Sequence, residues 1–290
     1  MKLLTEKKIL VTGGAGFIGS HLCDALRKEN EVVSIDNYLS GKDTNHIEGV
    51  NYIKGSCKDI FKIVEGFSPD LIYHFGEYSR VESSFDDYDQ VFDNNIISFK
   101  TILNFAKQNR SKLIYAGSST KFASYENEND LSPYAWVKAK NTEHLINFSN
   151  WFGLDYAIVY FYNVYGGNEI EEGKFSTVIG KYKRLYLQGK RKLPLVKPGS
   201  QVRNFTHFSD VIRALILIGL KGKGDGYGIG ADDAISMLEL VKLLNCDPEY
   251  LPARRGNRSK ASLNTSKTKD LGWEPEINIE DHIKNFLKSN

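Results

Sequence analysis

The chain has 290 residues, of which 41% are hydrophobic and 26% are charged, and its formal net charge is +2. This composition supports a sizeable core and excludes wholesale disorder. Nucleic acid is excluded as a partner because the charges are spread along the chain and form no concentrated basic face.

The first half alternates short apolar runs with longer amphipathic ones. Strands are predicted at Lys8–Thr12, Val32–Asp36, Asn51–Lys54, Leu71–Phe75, Leu113–Ala116 and Tyr156–Phe161. Helical patterns lie between several of them, at Ser20–Lys28, Tyr88–Gln108 and Tyr134–Phe152. This alternation predicts an α/β fold with a Rossmann-type, doubly wound parallel sheet, because parallel neighbours need a crossover and the helix supplies it. Such sheets bind ligands at the carboxyl ends of their strands.

The pattern of predicted strands and helices changes after about residue 166. Strands at Val202–His207 and Gly226–Gly230 interleave with helices at Ser209–Leu220 and Ser236–Leu244. We interpret residues 1–165 as the main domain, to which residues from about 200 to 225 contribute elements. Residues 166–290 then form mainly a smaller C-terminal α/β lobe that binds the substrate.

Three features argue against other classes of protein. Cys23, Cys57 and Cys246 are far apart and lack C-x-x-C spacing, which argues against a disulfide framework and against a zinc site, so no metal is expected. The longest apolar stretch, Val211–Leu220, is interrupted by Arg213 and falls short of the ~20 residues that a membrane span needs. There is no room for a signal peptide before the first strand. We therefore expect a soluble, cytoplasmic protein with no membrane partner.

A glycine-rich turn follows the first predicted strand. Gly13, Gly16 and Gly19 fit the pattern G-x-x-G-x-x-G, between that strand and the start of a helix. Glycine lets the backbone approach a pyrophosphate closely, and a helix N-terminus offers free N–H donors and a partial positive charge. A turn that serves only packing is the alternative, but the strand–turn–helix context favours a dinucleotide site. The residues predicted to contact the dinucleotide here are Gly13, Gly16, Phe17, Ile18 and Gly19.

An acidic residue ends the second predicted strand. Asp36 lies within the offset of about 20 residues expected for the acid that binds the adenosine ribose. A carboxylate accepts hydrogen bonds from the 2′ and 3′ hydroxyls and repels a 2′-phosphate, and no arginine occurs in the five residues after it. The predicted cofactor is therefore NAD rather than NADP, with Asp36 and Asn37 at the ribose. A solvated acid at a strand end is the alternative.

Tyr134 and Lys138 are four residues apart and so lie on one face of a predicted helix. Phenols ordinarily ionise at about pH 10, but a neighbouring ammonium and a positive nicotinamide ring favour the phenolate. The Y-x-x-x-K pattern alone is common on protein surfaces. Here it follows a strand that leads into Gly117 and Ser118, whose hydroxyl is expected at the carboxyl edge of the sheet. Ser118, Tyr134 and Lys138 are the predicted catalytic residues.

The order of these motifs resembles the extended short-chain dehydrogenase/reductases, specifically the NAD-dependent nucleotide-sugar epimerase/dehydratase family of UDP-glucose 4-epimerase. The resemblance covers nearly the whole chain. The matching segments are Thr12–Gly19 (T-G-x-x-G-x-x-G), Asp59-Ile60, His74–Glu77 in place of H-x-A-A, Asn95, the triad Ser118, Tyr134 and Lys138, Asn163–Gly166 (N-V-Y-G), Arg203–Phe205, Arg254–Asn257 and Leu271–Pro275 (L-G-W-x-P).

The resemblance implies further binding residues. On the cofactor it implies Asp59 and Ile60 at the adenine, together with Phe75, Gly76, Asn95, Tyr134 and Lys138. The implied substrate is a nucleoside-diphosphate sugar. Its expected contacts are Ser118 at the reacting hydroxyl, Arg203 and Arg254 at the diphosphate, Asn163 near the phosphates and Asn257 near the nucleoside ribose. Charge-assisted bonds from arginine suit a diphosphate, although without the family frame solvated surface arginines are the simpler interpretation.

The resemblance also implies the chemistry. Tyr134 as phenolate takes the proton from a sugar hydroxyl, expected at C4, while a hydride passes to the nicotinamide and Lys138 binds the nicotinamide ribose. Dehydratases of this family use an Asp-Glu pair where this chain has Ser119 and Thr120, so 4,6-dehydration is disfavoured. The prediction is a 4-epimerase that acts through a transient 4-keto sugar. The alternatives are a 4-dehydrogenase that releases the ketone and, less favoured, a non-catalytic NAD-binding protein.

Two charged residues replace small apolar ones after the fourth predicted strand. Glu77 and Arg80 are expected either to contact an unusual sugar, as substrate-binding residues, or to pair with each other at the rim of the site. The helices Tyr88–Gln108 and Tyr134–Phe152 carry more apolar side chains than one sheet-facing stripe requires. We expect these two helices to form a homodimer interface.

Overall fold

A parallel sheet of seven strands forms the centre of the molecule, which is a computed structural model that describes residues 4–119, 132–252 and 262–290. The strands are β1 (Lys8–Thr12), β2 (Glu31–Asp36), β3 (Asn51–Lys54), β4 (Leu71–His74), β5 (Lys112–Ala116), β6 (Tyr156–Phe161) and β11 (Gly224–Ile229). Their spatial order is β11-β6-β5-β4-β1-β2-β3. The predicted Rossmann-type α/β fold is confirmed, and the first six predicted strands match within one residue at each end.

The remaining elements flank this sheet. The helices are α1 (Phe17–Leu26), α2 (Ile60–Ile63), α3 (Tyr88–Phe92), α4 (Ser98–Asn109), α5 (Pro133–Phe152), α6 (Val178–Leu187), α7 (Phe208–Lys221), α8 (Met237–Leu243), α9 (Ser266–Lys269) and α10 (Ile279–Ser289). The short strands β7 (Val164–Tyr165), β8 (Lys192–Val196), β9 (Val202–Asn204), β10 (Thr206–His207), β12 (Ala234–Ser236) and β13 (Asp247–Leu251) form the pairs β10–β7, β12–β9 and β13–β8. Within the described ranges, no helix is both long enough and apolar enough to cross a membrane.

The sheet buries both of its faces. Along β1, Ile9 and Val11 pack with α1 and α7 on one side, whereas Leu10 packs with α4 and α5 on the other. Both sides of each central strand are therefore apolar, as expected for a parallel sheet that is covered by helices. This covering leaves the carboxyl edge of the sheet as the place where a ligand can reach the strands.

A third core cluster lies outside the sheet. It joins residues of α6, α8 and α10, among them Tyr182, Leu240 and Ile283. The strand β11, by contrast, pairs with β6 in the main sheet, so residues beyond about 225 also contribute to that domain. The division into a cofactor domain and a substrate lobe remains a prediction, which the separate third cluster supports.

The predicted single helix over Tyr88–Gln108 is interrupted. Between α3 and α4 the chain forms a π-helical turn at Asp93–Ile97. The hydroxyl of Ser98 donates to the Asp93 carbonyl at 3.1 Å within this wider turn. Such turns interrupt α-helices most often near functional sites. Here the turn carries Asn94, which lines the site described below, and Asn95, which is buried.

Asp210 joins α7 to the segment that matches L-G-W-x-P. Its fully buried carboxylate accepts hydrogen bonds from the backbone N–H groups of Glu276 and Ile277, both at 3.1 Å, and from Arg213 at 2.7 Å. Its carbonyl accepts from the indole of Trp273 at 2.9 Å. Removing the carboxylate leaves partly buried donors without their acceptor, which is costly.

We expect Asp210→Ala to lower the free energy of unfolding by about 3 kcal/mol, because two partly buried backbone N–H groups and one arginine lose their acceptor. Urea denaturation followed by circular dichroism measures this change. The exposed residue Glu65 provides the control, since Glu65→Ala removes a carboxylate of similar size from the surface. Equal stability of the two variants would contradict the role of Asp210.

Candidate active site

A cleft of about 650 Å³ opens at the carboxyl edge of the sheet. It runs from the glycine turn after β1, past the ends of β2, β4 and β5, to the elements that follow β6. The predicted residues that line it include Gly16, Asp36, Gly76, Tyr134 and Lys138. The glycine turn and the Tyr–Lys pair, more than 110 positions apart in the chain, therefore share one cavity.

The glycine turn is shaped by close backbone contacts. Gly13 has φ of +77°, and a Cβ there would lie 2.8 Å from the backbone nitrogen of Gly76. A Cβ on Gly19 would lie 2.1 Å from the carbonyl oxygen of Gly13. Helix α1 thus begins directly against the turn, and no side chain caps it or places an acid in its first turn. Its first N–H groups are free to bind an anion at the cleft.

Asp36 closes one end of the cleft. Its side chain is 7% exposed, and its two oxygens accept hydrogen bonds from the backbone of Ala15 at 3.0 Å and of Tyr38 at 2.8 Å. Burial raises the pKa of the Asp36 carboxyl, and the two backbone hydrogen bonds offset only part of this effect. Asn37 also lines the cleft, and its amide donates to Asn94 at 2.9 Å. A carboxylate oxygen has two lone pairs, so both retain acceptor capacity for ribose hydroxyls.

Tyr134 and Lys138 come from the first turns of α5. The helix begins cleanly because the Ser132 hydroxyl accepts from the N–H of Ala135 at 3.1 Å and Pro133 occupies its first turn. Ser118 is buried and follows directly after Gly117, which lines the cleft beside Tyr134. The structure thus brings Tyr134 and Lys138 together at the end of β5.

Two acceptors on the sheet side of α5 bind the Lys138 ammonium. It donates to the carboxylate of Glu77 and to the carbonyl oxygen of Ala116, and its side chain is only 4% exposed. The expectation that Glu77 pairs with Arg80 at the rim is wrong. The side chain of Glu77 is also 4% exposed, and it turns inward to α5 because a buried ammonium there needs a counter-ion.

Glu77 has further partners. Oε1 of Glu77 accepts hydrogen bonds from the Asn141 amide at 3.1 Å and from the Tyr115 hydroxyl at 3.4 Å. Nε2 of His74 lies 3.7 Å from the same oxygen. Burial alone would raise the pKa of the Glu77 carboxyl, but the Lys138 ammonium and His74 outweigh it, so that pKa lies below its usual value. Glu77 is therefore a carboxylate at neutral pH.

Arg80 lies in the cleft near Tyr134. Its guanidinium donates to the carbonyls of Ser79 at 3.0 Å and of Phe175, and it lies 5.9 Å from the centre of the Phe175 ring. In the described part of the chain it has no carboxylate partner, and its buried Nε has no hydrogen-bond partner. Burial lowers the pKa of Arg80, against a raising effect of Tyr134 and Tyr78. Within the described ranges this cation therefore lacks a counter-ion, and it lines the cleft together with Tyr134.

Asn95 does not reach the cleft, contrary to its predicted contact with the cofactor. It is fully buried, and both ends of its amide bond the backbone of Tyr78, at 2.7 Å and 2.9 Å. The π-helical turn directs Asn95 toward this loop and leaves its neighbour Asn94 to line the cleft. Asn95 therefore fixes the loop that carries Glu77.

The other predicted residues fall into three groups. Gly13, Phe17, Ile18, Gly19, Phe75, Gly76 and Asn163 line the cleft. Asp59 is exposed, Ile60 lies in the core, Arg203 is half-buried on β9, and none of these three is among the residues that line the cleft. Their proposed contacts remain predictions. Arg254 and Asn257 lie outside the described residues.

The sequence did not indicate the part of the cleft formed by residues 170–179. Ile170, Ser176, Thr177, Val178 and Ile179 line it. The hydroxyl of Thr177 accepts from Gly180 at 3.2 Å and so caps the N-terminus of α6. A threonine just before an amphipathic run was the only signal available, and such a signal marks a helix start and not a site.

These features fit NAD. The turn accepts no side chain at Gly13 or Gly19, a free helix N-terminus faces the cavity, and a buried carboxylate stands at the end of β2. This is the donor and acceptor set that a pyrophosphate followed by an adenosine ribose requires.

Comparison with known proteins agrees with this geometry. The family model described as the NAD dependent epimerase/dehydratase family matches residues 9–230. The chain belongs to this family. The family is NAD-dependent, so the cofactor prediction is confirmed at that level.

Three solved structures are similar over almost the full length. UDP-glucose 4-epimerase from Thermotoga maritima, solved with UDP-glucose, is 28% identical with a TM-score of 0.90, over 97% of this chain and 99% of that one. UDP-N-acetylglucosamine 4-epimerase from Methanobrevibacter ruminantium M1 is 26% identical with a TM-score of 0.86, over 98% of each chain. A dTDP-glucose 4,6-dehydratase from Streptomyces venezuelae, solved with NAD, is 25% identical with a TM-score of 0.84, over 98% of this chain and 97% of that one.

We predict that NAD affinity falls on acidification at a higher pH than an ordinary aspartate would cause. The carboxylate form accepts the ribose hydroxyls, and the raised pKa of Asp36 means that it takes up a proton above the usual value of 3.8. The affinity should be constant well above that pKa and decline as pH falls through it. Asp36→Asn should bind NAD about 10- to 100-fold more weakly, without this pH dependence.

The dissociation constant of NAD is measured by isothermal titration of the NAD-free protein at pH values from about 4 to 8. This is roughly the range that spans ordinary and raised carboxyl pKa values. Asp43→Asn is the control, because Asp43 is an exposed acid in the same loop region. A parallel pH dependence in the Asp36→Asn variant would contradict the assignment.

Proposed function

We propose that this chain is a nucleotide-sugar 4-epimerase that acts through a transient 4-keto sugar. The observation that carries the proposal is the cleft that joins the dinucleotide turn to Tyr134. Two carboxylates occur among the described residues that line the cleft. Asp36 lies at the end away from Tyr134, and Glu77 forms an ion pair with Lys138. Loss of water from a 4-keto sugar needs an acid and a base of its own, and neither carboxylate is available for that task.

The family resemblance and the positions of these residues in the cleft support the following roles. When bound, NAD supplies the acceptor and then the donor of the C4 hydride. Tyr134 takes the proton of the C4 hydroxyl at its phenolic oxygen, and it returns a proton when the ketone is reduced on its other face. Ser118 donates a hydrogen bond to the same sugar oxygen, and Lys138 orients the nicotinamide ribose. Arg80, which lies in the cleft near Tyr134 and pairs with no described carboxylate, contacts the sugar.

The substrate is a nucleoside-diphosphate sugar. The similar proteins named above include enzymes of UDP-glucose, UDP-N-acetylglucosamine and dTDP-glucose, which supports this class. Asn163 lines the cleft, and its amide donates to the carbonyl of Asn204 at 2.8 Å, which ties the end of β6 to the strand that carries Arg203. We propose Asn163, Arg203, Arg254 and Asn257 as the residues that bind the nucleoside diphosphate.

The test is product analysis with purified protein. The dinucleotide released on denaturation should be NAD, and one or more members of a panel of UDP-, GDP-, CDP- and dTDP-sugars should be isomerised with no net NADH. Tyr134→Phe should lower kcat by about 10²- to 10⁴-fold because the proton-transfer group is lost. Tyr250→Phe, which changes an exposed tyrosine on β13, should leave kcat unchanged.

Other outcomes have definite meanings. A 4-keto product with accumulating NADH identifies a 4-dehydrogenase, and a 4-keto-6-deoxy product identifies a dehydratase. Absence of turnover with every sugar nucleotide would overturn the proposal as a whole.

We also propose that the protein is a homodimer through α3 to α5. Tyr88, Phe92 and Trp136 form one patch, in which the Phe92 ring lies 4.5 Å from the Tyr88 ring and 5.8 Å from the Trp136 ring, between ring centres. Tyr88 is 51% exposed and Trp136 38%, which is unusual for large side chains that gather in one place, and Ile97 on the same helical segment is 49% exposed. A second copy of the same surface would cover the patch by two-fold symmetry.

Sedimentation equilibrium at micromolar concentration is therefore expected to give about twice the chain mass of 32.8 kDa. Trp136→Glu places a charge in the patch and should shift the protein toward the monomer. Leu187→Glu is the control, since Leu187 is an exposed apolar residue on α6, away from the patch. A monomer in the wild-type protein would refute the dimer.

A further inference from the structure

Position 77 carries a carboxylate where the family motif H-x-A-A has a small residue. Its side chain and that of Lys138 are each only 4% exposed, and they form an ion pair inside the protein. A buried ion pair contributes little net stability, because the desolvation of two charges offsets most of their attraction. Stability is therefore a weak reason for this pair, and its position beside the reacting end of the cleft suggests a role in the site.

Counting donors shows what the pair does to Lys138. An ammonium has three N–H donors. One is taken by Glu77 and one by the carbonyl of Ala116, and both acceptors lie on the sheet side of α5. Lys138 also lines the cleft, and its ammonium lies 4.4 Å from the centre of the Tyr115 ring. Among the described residues no further oxygen or nitrogen accepts from this ammonium, so its third donor is available to a ligand in the cleft. The two inner acceptors together fix the direction of this third donor.

Glu77 is itself held from three directions. Asn141, one helical turn beyond Lys138, donates to Oε1 at 3.1 Å, and the Tyr115 hydroxyl donates to the same oxygen at 3.4 Å. Asn141 also donates to the backbone carbonyl of Asn95 at 2.6 Å. Asn95 in turn clamps the backbone of Tyr78, the residue after Glu77. The carboxylate therefore cannot turn away from Lys138 without breaking this network.

His74 completes the surroundings of Glu77. The hydroxyl of Thr12 accepts from the N–H groups of Phe75 at 3.2 Å and Gly76 at 3.0 Å, and it lies 2.7 Å from Nδ1 of His74, within hydrogen-bond distance. Nε2 of the same ring lies 3.7 Å from Oε1 of Glu77, too far for a hydrogen bond. The His74 ring therefore lies between the glycine turn and the carboxylate and borders the latter.

We propose that Glu77 is a positioning residue for Lys138, which fixes the ammonium so that its remaining N–H points at the nicotinamide ribose of NAD. This inference rests on the role of Lys138 given under the proposed function. It assigns to Glu77 no contact with the sugar and no proton transfer.

The test measures NAD affinity in the absence of any sugar. The dissociation constant of NAD is determined by isothermal titration of NAD-free protein for wild type, Glu77→Gln, Lys138→Met and the double variant. Lys138→Met should weaken NAD binding by about 10- to 100-fold, because a charge-assisted hydrogen bond is lost. Glu77→Gln keeps the shape of the side chain but loses its charge, and it should weaken binding by about 10-fold.

The double variant separates a positioning role from a purely structural one. If Glu77 acts through Lys138, Glu77→Gln has no further effect once Lys138 is methionine. Glu77→Asp, which restores the charge on a shorter side chain, should recover part of the affinity. Glu143→Gln is the matched control, because Glu143 pairs with Lys140 at 2.9 Å on the exposed face of the same helix, and it should bind NAD as wild type does.

A substrate readout, where turnover is found, adds a second criterion. Misdirection of Lys138 should lower kcat in Glu77→Gln and leave KM for the sugar nucleotide unchanged, since Glu77 does not touch the sugar. If Glu77→Gln does not yield folded protein, Glu77→Ala supplies the comparison, because the family motif has a small residue there.

The outcomes distinguish the two proposals. Unchanged NAD affinity in Lys138→Met would remove the role of Lys138 and would count against the proposed function itself. Two outcomes would overturn the positioning role alone, provided that Lys138→Met weakens NAD binding. One is wild-type NAD affinity in Glu77→Gln. The other is that Glu77→Gln weakens NAD binding by the same factor in the wild-type protein and in the Lys138→Met protein.

Discussion

Helix α5 buries a positive charge, and the chain has to supply acceptors for it. Lys138 lies on the face that packs against the sheet, where its side chain is only 4% exposed and its ammonium is largely removed from water. The acceptors come from two neighbouring strands: the carbonyl of Ala116 at the end of β5 and the carboxylate of Glu77 just after β4. Because a buried unpaired charge is costly, this requirement ties α5, β5 and the loop after β4 into one unit.

The two carboxylates of the cleft differ because their partners differ. In the described part of the chain, Asp36 has two backbone N–H donors and no paired cation, so burial dominates and its pKa is raised. Glu77 is more deeply enclosed, yet the adjacent ammonium lowers its pKa. The cleft thus has a carboxylate with free acceptor capacity beside the glycine turn and a charge-balanced pair near Tyr134. Arg80 also lines the cleft there, with no carboxylate partner among the described residues.

Much of the fold was predictable because its signals are local. The β-branched runs defined six strands to within one residue, and the strand–turn–helix context of Gly13 to Gly19 located the dinucleotide turn. The regular helix predicted over Tyr88–Gln108 was wrong because an inserted π turn leaves the apolar periodicity almost intact. That turn decides which of two adjacent asparagines faces the cleft, and residue spacing alone carries no information about it.

The sequence by itself determined the fold class, the NAD turn, the acid after β2 and the Tyr134–Lys138 pair. Each of these depends on residues close together in the chain or on an order of motifs. Only the tertiary structure decided the partner of Glu77. Arg80 is three residues from it and Lys138 is 61, so sequence distance favoured the wrong partner. The direction of a loop side chain depends on which buried charge needs neutralising, and that charge lies on an element distant in sequence but adjacent in space.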